Sequence, residues 1–263
     1  MSDFRFQWSA EPDINLTSGE PVPVRAYLES WLLVRYTNNL DAAYPGYVRA
    51  TPPSVDAGAA DVLEIPYQIR DIRGLRAARR YFEPGQRISG NEELHILHLD
   101  PLAAGFRAIV CDATYHVYRQ AQGSTDFVPL MFEPGLPPGD AQNMTVRRID
   151  FSNRDPRSGT TNPASPAEPQ EGPLPEPRTD VFGPWFVTGA EEFASWDSAD
   201  LASDQSGSSG STQSLKEAQA AENALRQQCL DRYPLDAADR DMRGKTVLTT
   251  APPVEPAVPG WPE

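Results

Sequence analysis

The spacing of apolar residues in the first third of the chain predicts two helices with a strand between them. Apolar residues at i, i+4, i+7 and i+8 mark a buried helix face and predict a helix over residues 24–40. Apolar and polar residues then alternate from 61 to 69, which predicts a half-buried strand. Helical spacing returns over 71–82 and predicts a second helix, which Pro84 and Gly85 would end. The first stripe consists of Val24, Leu28, Trp31 and Leu32.

Four more segments alternate like strands, and together with the helices they predict the α+β fold class. Short turns with Gly and Pro join them, which favours a curved antiparallel sheet with the helices on its concave face. Strand alternation in the longest segment places Cys111 and Val117 on one face and His116 on the other. The four predicted strands cover residues 93–99, 106–119, 127–132 and 146–151.

Composition changes at about residue 152, where the predicted domain ends. Prolines are dense between 156 and 177 and aliphatic residues are almost missing, which is typical of an extended, mobile linker. Ser214 and Glu217 form a capping box that predicts a late helix. The predicted order is an N-terminal extension (1–21), the α+β domain (22–151), a Pro-rich linker (152–180), an apolar docking segment (181–202), a Ser/Gly-rich linker (203–213), a helix (214–233) and an irregular Pro-rich tail (234–263).

The docking segment takes its name from the apolar side chains Phe182, Trp185 and Phe186, which interrupt the polar second half of the chain. Exposed apolar clusters of this size are uncommon unless they bind something. We therefore expect this segment to dock on the helical or open-sheet side of the domain, or on a partner.

The charge balance excludes one class of partner. With 23 Lys and Arg against 37 Asp and Glu, the net charge is −14, whereas nucleic-acid binding needs a cationic surface. Only Lys216 and Lys245 are lysines, and this arginine bias fits a GC-rich, actinobacterial genome. No segment is apolar over the roughly 18 residues that a membrane span needs. The first residues lack a signal-peptide pattern, so the literal reading is cytoplasmic, or exported if the natural start lies upstream.

The two cysteines, Cys111 and Cys229, leave two interpretations open. They form no CxxC motif, so neither a zinc site nor thioredoxin-type chemistry is predicted. One interpretation is a pair of reduced, inert thiols. The other is a disulfide that fastens the C-terminal helix to the sheet, which would require an oxidising compartment.

The order of elements in residues 22–151 resembles the nuclear-transport-factor-2-like (NTF2-like) cone fold. The most specific match is the run from Gly74 to Phe82, which is similar to the Gly-x-x-Ala-(two or three residues)-Phe helix of SnoaL-like members. The resemblance covers about half of the chain and implies a curved sheet with an interior cavity. Members of this fold include cyclases, isomerases and dehydratases, and also noncatalytic partners of secretion assemblies, so the fold alone implies no chemistry.

One set of strand residues could line such a cavity. Asp112, His116 and Tyr118 share strand parity, so an acid, an imidazole and a phenol would face the cone interior as a catalytic group, or else the solvent. His95 and His98 form an HxxH pair, but on a strand this spacing separates the two rings and no third ligand lies nearby, so no metal site is predicted.

Arginines concentrate in the second predicted helix of this otherwise acidic chain. Helical spacing aligns Arg73, Arg76 and Arg80 on one face, with Arg70 and Arg79 close by. Arginine offers a forked set of donors to carboxylates and phosphates, so this face is a candidate site for an anion or an acidic partner. A simply solvated helix face is the alternative.

The function predicted from these features is a noncatalytic interaction or accessory module of a bacterial assembly, which engages a protein partner through the domain and its C-terminal arm. The sequence contains no phosphate-binding loop, no HExxH and no GxSxG motif, and no cofactor is predicted. The alternative is a SnoaL-like small-molecule enzyme or ligand carrier with the Asp112, His116 and Tyr118 cavity. A homodimer formed through the sheet is left open.

Overall fold

The computed structural model describes residues 3–53, 65–75, 82, 85–132, 139–155, 163–196 and 210–263. It has a mixed α and β fold, with a strongly curled sheet whose strands are mostly antiparallel and with one long helix near the C-terminus. The strands are β1 (Phe4–Ala10), β2 (Ile88–Leu102), β3 (Gly105–Ala113), β4 (Val117–Gln120), β5 (Phe127–Pro129), β6 (Met144–Ser152) and β7 (Phe186–Glu192). The helices are α1 (Pro21–Thr37), α2 (Tyr47–Ala50), α3 (Tyr67–Arg70), α4 (Asp140–Asn143), α5 (Gly210–Arg232) and α6 (Ala237–Arg243).

The sheet is built around β2. Its strand order is β5-β4-β2-β3-β6-β7, and β1 pairs with β2 in parallel. Sequence analysis assigned no strand to the first ten residues, yet Phe4, Phe6 and Trp8 alternate with polar residues and all three are buried. This period of two is the ordinary signal of a half-buried strand.

The first predicted helix exists, although its bounds differ from the prediction. Helix α1 ends at Thr37 because Asn38 takes a left-handed conformation with φ of 51°, which a helix cannot continue. The predicted strand over 61–69 is wrong where the structure describes it, since Tyr67–Arg70 is helical. Tyr67 and Ile69 are exposed, so their alternation does not report a buried face. Most of the second predicted helix, residues 76–81, lies outside the described residues.

The long predicted strand over 106–119 is two strands, and the break reverses its faces. Ala113 pairs with Glu93, and Val117 pairs with Gly90. The three residues between Ala113 and Val117 therefore lie opposite only the two residues between Gly90 and Glu93 on β2. The extra residue moves every side chain after it to the other face of the sheet, which no parity argument from the sequence anticipates.

The two faces of the sheet bury two separate cores. On the face that we call inner, Leu94, Val110 and Ile149 pack with α1 in the large core. On the face that we call outer, Ile109 and Val146 pack with Leu225 and other residues of α5 in a smaller core.

Parts of the segments expected to be a linker and a tail pack on the domain. Trp261 is 1% exposed, and its indole donates a hydrogen bond of 3.0 Å to Glu29 in α1. The fully buried guanidinium of Arg25 donates to the carbonyls of Gln170, Pro259 and Gly260. These bonds fix part of the Pro-rich segment and the end of the chain against α1.

The expectation of an irregular tail over 234–263 is wrong for α6. Asp236 caps this helix by accepting hydrogen bonds from the backbone N–H groups of Ala238 and Asp239. The long helix α5 begins at Gly210, before the predicted start at 214; of the predicted capping box, Glu217 is exposed, and the side chain of Ser214 is not among those described.

The apolar segment that we named for docking contacts the domain. Phe182 is 0% exposed and Phe186 is buried at the start of β7. Trp185 is half-buried and meets the ring of Phe106 edge to face, with ring centroids 4.8 Å apart. The chain itself thus covers most of this apolar surface.

Candidate functional site

A disulfide bond between Cys111 and Cys229 joins β3 to α5. The sequence left open whether the two cysteines are reduced thiols or a disulfide, and the structure has the disulfide. Both residues are buried in the outer core, beside Leu225 and Tyr233. Since the two cysteines are 118 residues apart, the bond fixes the C-terminal helix on the outer face of the sheet.

Beside this disulfide lies a cavity of about 300 Å³, which we call the outer cavity. The sheet forms one wall, and the end of α5 with the residues after it forms the other. The lining is mainly apolar and includes Cys111, Ala113, Met144, Cys229, Pro234 and Val258. Polar groups of the lining include Gln7, Ser9, Glu93, His95, Arg232 and Tyr233.

One chain of hydrogen bonds at this cavity runs through His95. Ser9 Oγ lies 2.9 Å from His95 Nδ1, and His95 Nε2 lies 3.2 Å from Glu11 Oε1. Arg232 donates to the same Glu11 oxygen and lowers the pKa of that carboxyl, with a smaller contribution from His95. Burial lowers the pKa of His95 below its usual value, so the ring is neutral at neutral pH.

A second chain runs through His116. Its Nδ1 lies 2.8 Å from Glu93 Oε2, and the Tyr233 hydroxyl donates to the same oxygen. Burial, and then the charge of Glu93, raise the pKa of Tyr233, so the phenol stays protonated and remains a donor. Two histidines, each bonded to a carboxylate, therefore lie on the outer side of the sheet at or beside the cavity.

The inner face carries a different polar cluster. Arg147 Nε donates to Asp112 Oδ2 over 2.6 Å, and Tyr36 donates to the neighbouring Glu92. Burial, and then the Asp112 carboxyl, raise the pKa of Glu92 well above its usual value. All four side chains are buried, and none of them lines a cavity described here.

The three residues predicted to act together do not meet. Asp112 lies in the inner cluster with Arg147, whereas His116 bonds to Glu93 on the outer side. Tyr118 follows the inner residue Val117 and therefore faces outward as well. The extra residue between β3 and β4 is the physical reason, because it reverses the parity on which the prediction rested.

The arginine face is only partly described. Arg73 donates to the Thr51 hydroxyl and to the carbonyls of Val48 and Thr51, so it holds the segment after α2. Arg76 and Arg80 lie outside the described residues. The proposed anion-binding role of this face stays a prediction.

His95 and His98 line different pockets, since His95 faces the outer cavity and His98 lines an acidic hollow with Asp13 and Asp100. Among the described residues, no group of three or more His, Cys, Asp or Glu side chains is placed to hold a metal ion.

Sequence reasoning missed Ser9, Glu11 and Arg232 as neighbours of His95. A signal for Ser9 and Glu11 was present, since Phe4, Phe6 and Trp8 alternate with polar residues, and continued alternation puts Ser9 and Glu11 on the opposite face. No local pattern brings Arg232 to the start of the chain, because only the packing of α5 does so.

Comparisons with protein-family models, with curated proteins and with solved structures found no match to this chain. In the part of the chain that the structure describes, no helix combines the length and the apolar character that a bilayer crossing requires.

Proposed function

We propose that the protein is a binding module for a small, mainly apolar ligand, and that the ligand lies in the outer cavity. The observation that carries this proposal is the cavity itself, with a volume of about 300 Å³ and a mainly apolar lining. Small-molecule sites are typically concave and apolar, with volumes from about 300 Å³ upward and a few polar groups that fix the ligand's orientation.

The construction of the cavity supports this proposal. The sheet supplies Ala113 and Met144, and the arm supplies Cys229, Pro234 and Val258. The disulfide holds these two walls together. A cavity between two fixed walls needs little reordering when a ligand enters, which favours binding.

The packing of the arm favours a ligand over a protein partner. The accessory role predicted from the sequence rested on the missing catalytic motifs and on a C-terminal arm of more than 100 residues, which was expected to engage a partner. Phe182 and Trp261 in that arm are buried in the main core of this chain, so these two side chains are not presented to a partner. Partner engagement stays a prediction.

The disulfide also motivates a proposal about compartment. Such bonds persist in oxidising environments, so we place the working protein outside the cytoplasm. Titration of denatured, unreduced protein from its natural source should find no free thiol among Cys111 and Cys229. Two reactive thiols in that material would contradict export.

Filling the cavity tests the binding function. Ala113→Phe places a ring in the outer cavity, while Ala220→Phe makes the same change at an exposed position on α5. We expect the fluorescent probe anilinonaphthalene sulfonate, and decanoate as its competitor, to bind the wild type and the Ala220→Phe control alike. Ala113→Phe should weaken binding by about tenfold or more, because the volume for the apolar part is lost.

The proposal fails if neither probe binds the wild type. It also fails if the probes bind Ala113→Phe as tightly as the Ala220→Phe control, because binding would then lie elsewhere. Thermal unfolding of both variants shows that any difference in binding is not a loss of folded protein.

A further inference from the structure

We propose that Ser9 is the nucleophile of an esterase site at the mouth of the outer cavity, with His95 as its general base and Glu11 as the residue that positions His95. This inference rests on the proposed function, because the cavity is where the apolar acyl chain of the substrate would lie. The substrate class is a carboxylic ester with a short or medium apolar acyl group.

Ser9, His95 and Glu11 form a hydrogen-bonded series in the order of a nucleophile, a general base and an orienting carboxylate. Ser9 Oγ is 2.9 Å from one ring nitrogen of His95, and the other ring nitrogen is 3.2 Å from Glu11. Serine hydrolases on unrelated folds share this order of groups, and it is recognised by geometry and not by position in the sequence.

Two paired strands, and not a loop, hold these groups. Ser9 on β1 lies directly opposite His95 on β2 in the parallel ladder. The backbone N–H of Glu11 donates to the carbonyl of Ile96 over 3.1 Å, which continues the pairing past the end of β1. The separation of nucleophile and base is therefore set by sheet register, which is the kind of rigid support that catalytic groups need.

The protonation state suits the assigned roles. Glu11 is held as a carboxylate by Arg232, so it accepts a hydrogen bond from His95 Nε2–H. In that tautomer Nδ1 carries a lone pair and accepts the hydroxyl proton of Ser9. A neutral ring of this kind is the form that a general base requires.

The position of Ser9 fits attack on a bound ester. Ser9 is exposed, so a substrate can reach it, and both Ser9 and His95 belong to the cavity lining. Gln7 and Arg232 also line the cavity; Arg232 donates through Nε to Glu11 and through Nη1 to the Gln228 carbonyl, which leaves its Nη2 and the Gln7 amide as candidate donors to a carbonyl oxygen as it becomes negative. An acyl chain directed into the cavity would place its carbonyl carbon at the mouth.

Ester hydrolysis at this site needs no reactant other than the ester and water. Ser9 Oγ bonds to the ester carbonyl carbon while its proton passes to His95 Nδ1, and the carbon–oxygen bond to the alcohol breaks as His95 returns that proton to the leaving oxygen. Water then attacks the acyl-serine by the same route. The products are the alcohol and the carboxylic acid, and Ser9 regains its proton.

The test uses a fluorophosphonate with a medium alkyl chain, which reacts with activated serines, on the full-length, disulfide-intact protein. Intact mass should show a single phosphonyl adduct, and fragmentation of the tryptic peptide from Phe6 to Arg25 should place it on Ser9 and not on Ser18. Ser9→Ala should give no adduct. His95→Gln should slow labelling by about a hundredfold, whereas the matched control His98→Gln should label within about twofold of the wild type.

The positioning role of Glu11 is tested with two variants, one that removes the charge of the side chain and one that shortens the side chain but keeps the charge. Glu11→Gln removes the carboxylate and should slow labelling by about tenfold, while Glu11→Asp retains the charge and should restore most of the rate. Both variants also alter the contact with Arg232, so equal labelling of the two variants would show that Glu11 acts only as a structural group. Their melting temperatures serve as the control for folding.

Decanoate binding separates this inference from the proposed function. Ser9→Ala should bind decanoate like the wild type, because its cavity is unchanged. If decanoate binds but the wild type is not labelled at Ser9, or is labelled as fast in His95→Gln, the esterase site is wrong and the binding module stands. If decanoate does not bind while Ser9 is labelled, the cavity proposal fails and the reactive serine stands.

Discussion

Glu92 and Glu93 are neighbours in β2, yet the sheet gives them opposite environments. Glu92 points to the inner face and is 0% exposed, beside Asp112. Glu93 points to the outer face, where it is half-buried and bonds to His116 and Tyr233. Two identical side chains thus differ in burial and in access to a ligand because successive strand residues face opposite ways.

The inner carboxyl is best understood as a proton donor. Because burial and the neighbouring Asp112 raise the pKa of Glu92 well above its usual value, this carboxyl keeps its proton to a higher pH than an exposed glutamate does. Asp112 Oδ1 is buried and accepts no hydrogen bond within the described part of the chain. A side-chain hydrogen bond between Glu92 and Asp112 is among the causes of the raised pKa of Glu92, so a proton shared between the two carboxyls is consistent with their close burial.

Because of this difference, we expect the polar groups of the inner face to affect the stability of the protein and those of the outer face to affect ligand binding. The inner polar groups are buried and line none of the cavities of the described residues, whereas the outer chains through His95 and His116 lie at or beside a cavity that a ligand can enter. Substitutions on the two faces should therefore affect different measurements.

The largest expected effect is on the inner face. Arg147→Met removes the buried cation but keeps the apolar bulk, so Asp112 is left as a buried charge without its ion pair. We expect the free energy of unfolding to fall by about 3–5 kcal/mol. Arg148→Met is the matched control, because Arg148 is only half-buried and its contact with Asp150 is long, at 3.5 Å. Urea unfolding should show a loss of no more than about 1 kcal/mol there, and equal losses would erase the distinction between the faces.

The disulfide offers the next largest effect, and it lies on the outer face. Replacing Cys111 and Cys229 with alanine removes the covalent link between α5 and the sheet. It also opens the loop of 118 residues that the disulfide closed, so the unfolded chain becomes less constrained. We expect a loss of about 2–4 kcal/mol, together with loss of decanoate binding. Reduction of the wild-type protein should reproduce both changes. If the variant binds decanoate as the wild type does, the arm is not a wall of the site.

Sequence periodicity predicted the elements whose signal is local. The buried stripe of α1 and the alternation in β2 and β6 both follow from apolar spacing, and the structure has them. Tyr67 and Ile69 show the limit of this method, since a short alternation next to Pro66 belongs to an exposed helical turn and not to a strand.

The candidate site could not be predicted in the same way, because it depends on long-range packing. One extra residue between Ala113 and Val117 moved Tyr118 away from the face of Asp112. The packing of α5 brought Arg232 to Glu11, across most of the chain. His95 stood out in the sequence, but its partner Ser9 became recognisable only when the parallel pairing of β1 was known.

The smallest expected effect compares the two glutamates directly. Glu92→Gln mimics the protonated carboxyl, so it should stabilise the protein at neutral pH and change little in acid. The sign follows from linkage: above the usual range for Glu, the unfolded chain loses this proton while the folded protein keeps it, so wild-type stability falls as pH rises. The variant lacks this pH dependence. Above about pH 5, its free energy of unfolding should therefore exceed that of the wild type by an amount that grows by no more than about 1 kcal/mol per pH unit.

Glu93→Gln is the matched control for this measurement. Its side chain is partly open to water and bonds to His116 and Tyr233. We expect a change in unfolding free energy of no more than about 0.5 kcal/mol. Urea unfolding of both variants across this range decides the matter. If Glu92→Gln gains no stability with rising pH, or if Glu93→Gln gains as much, Glu92 is not the buried, protonated member of the pair.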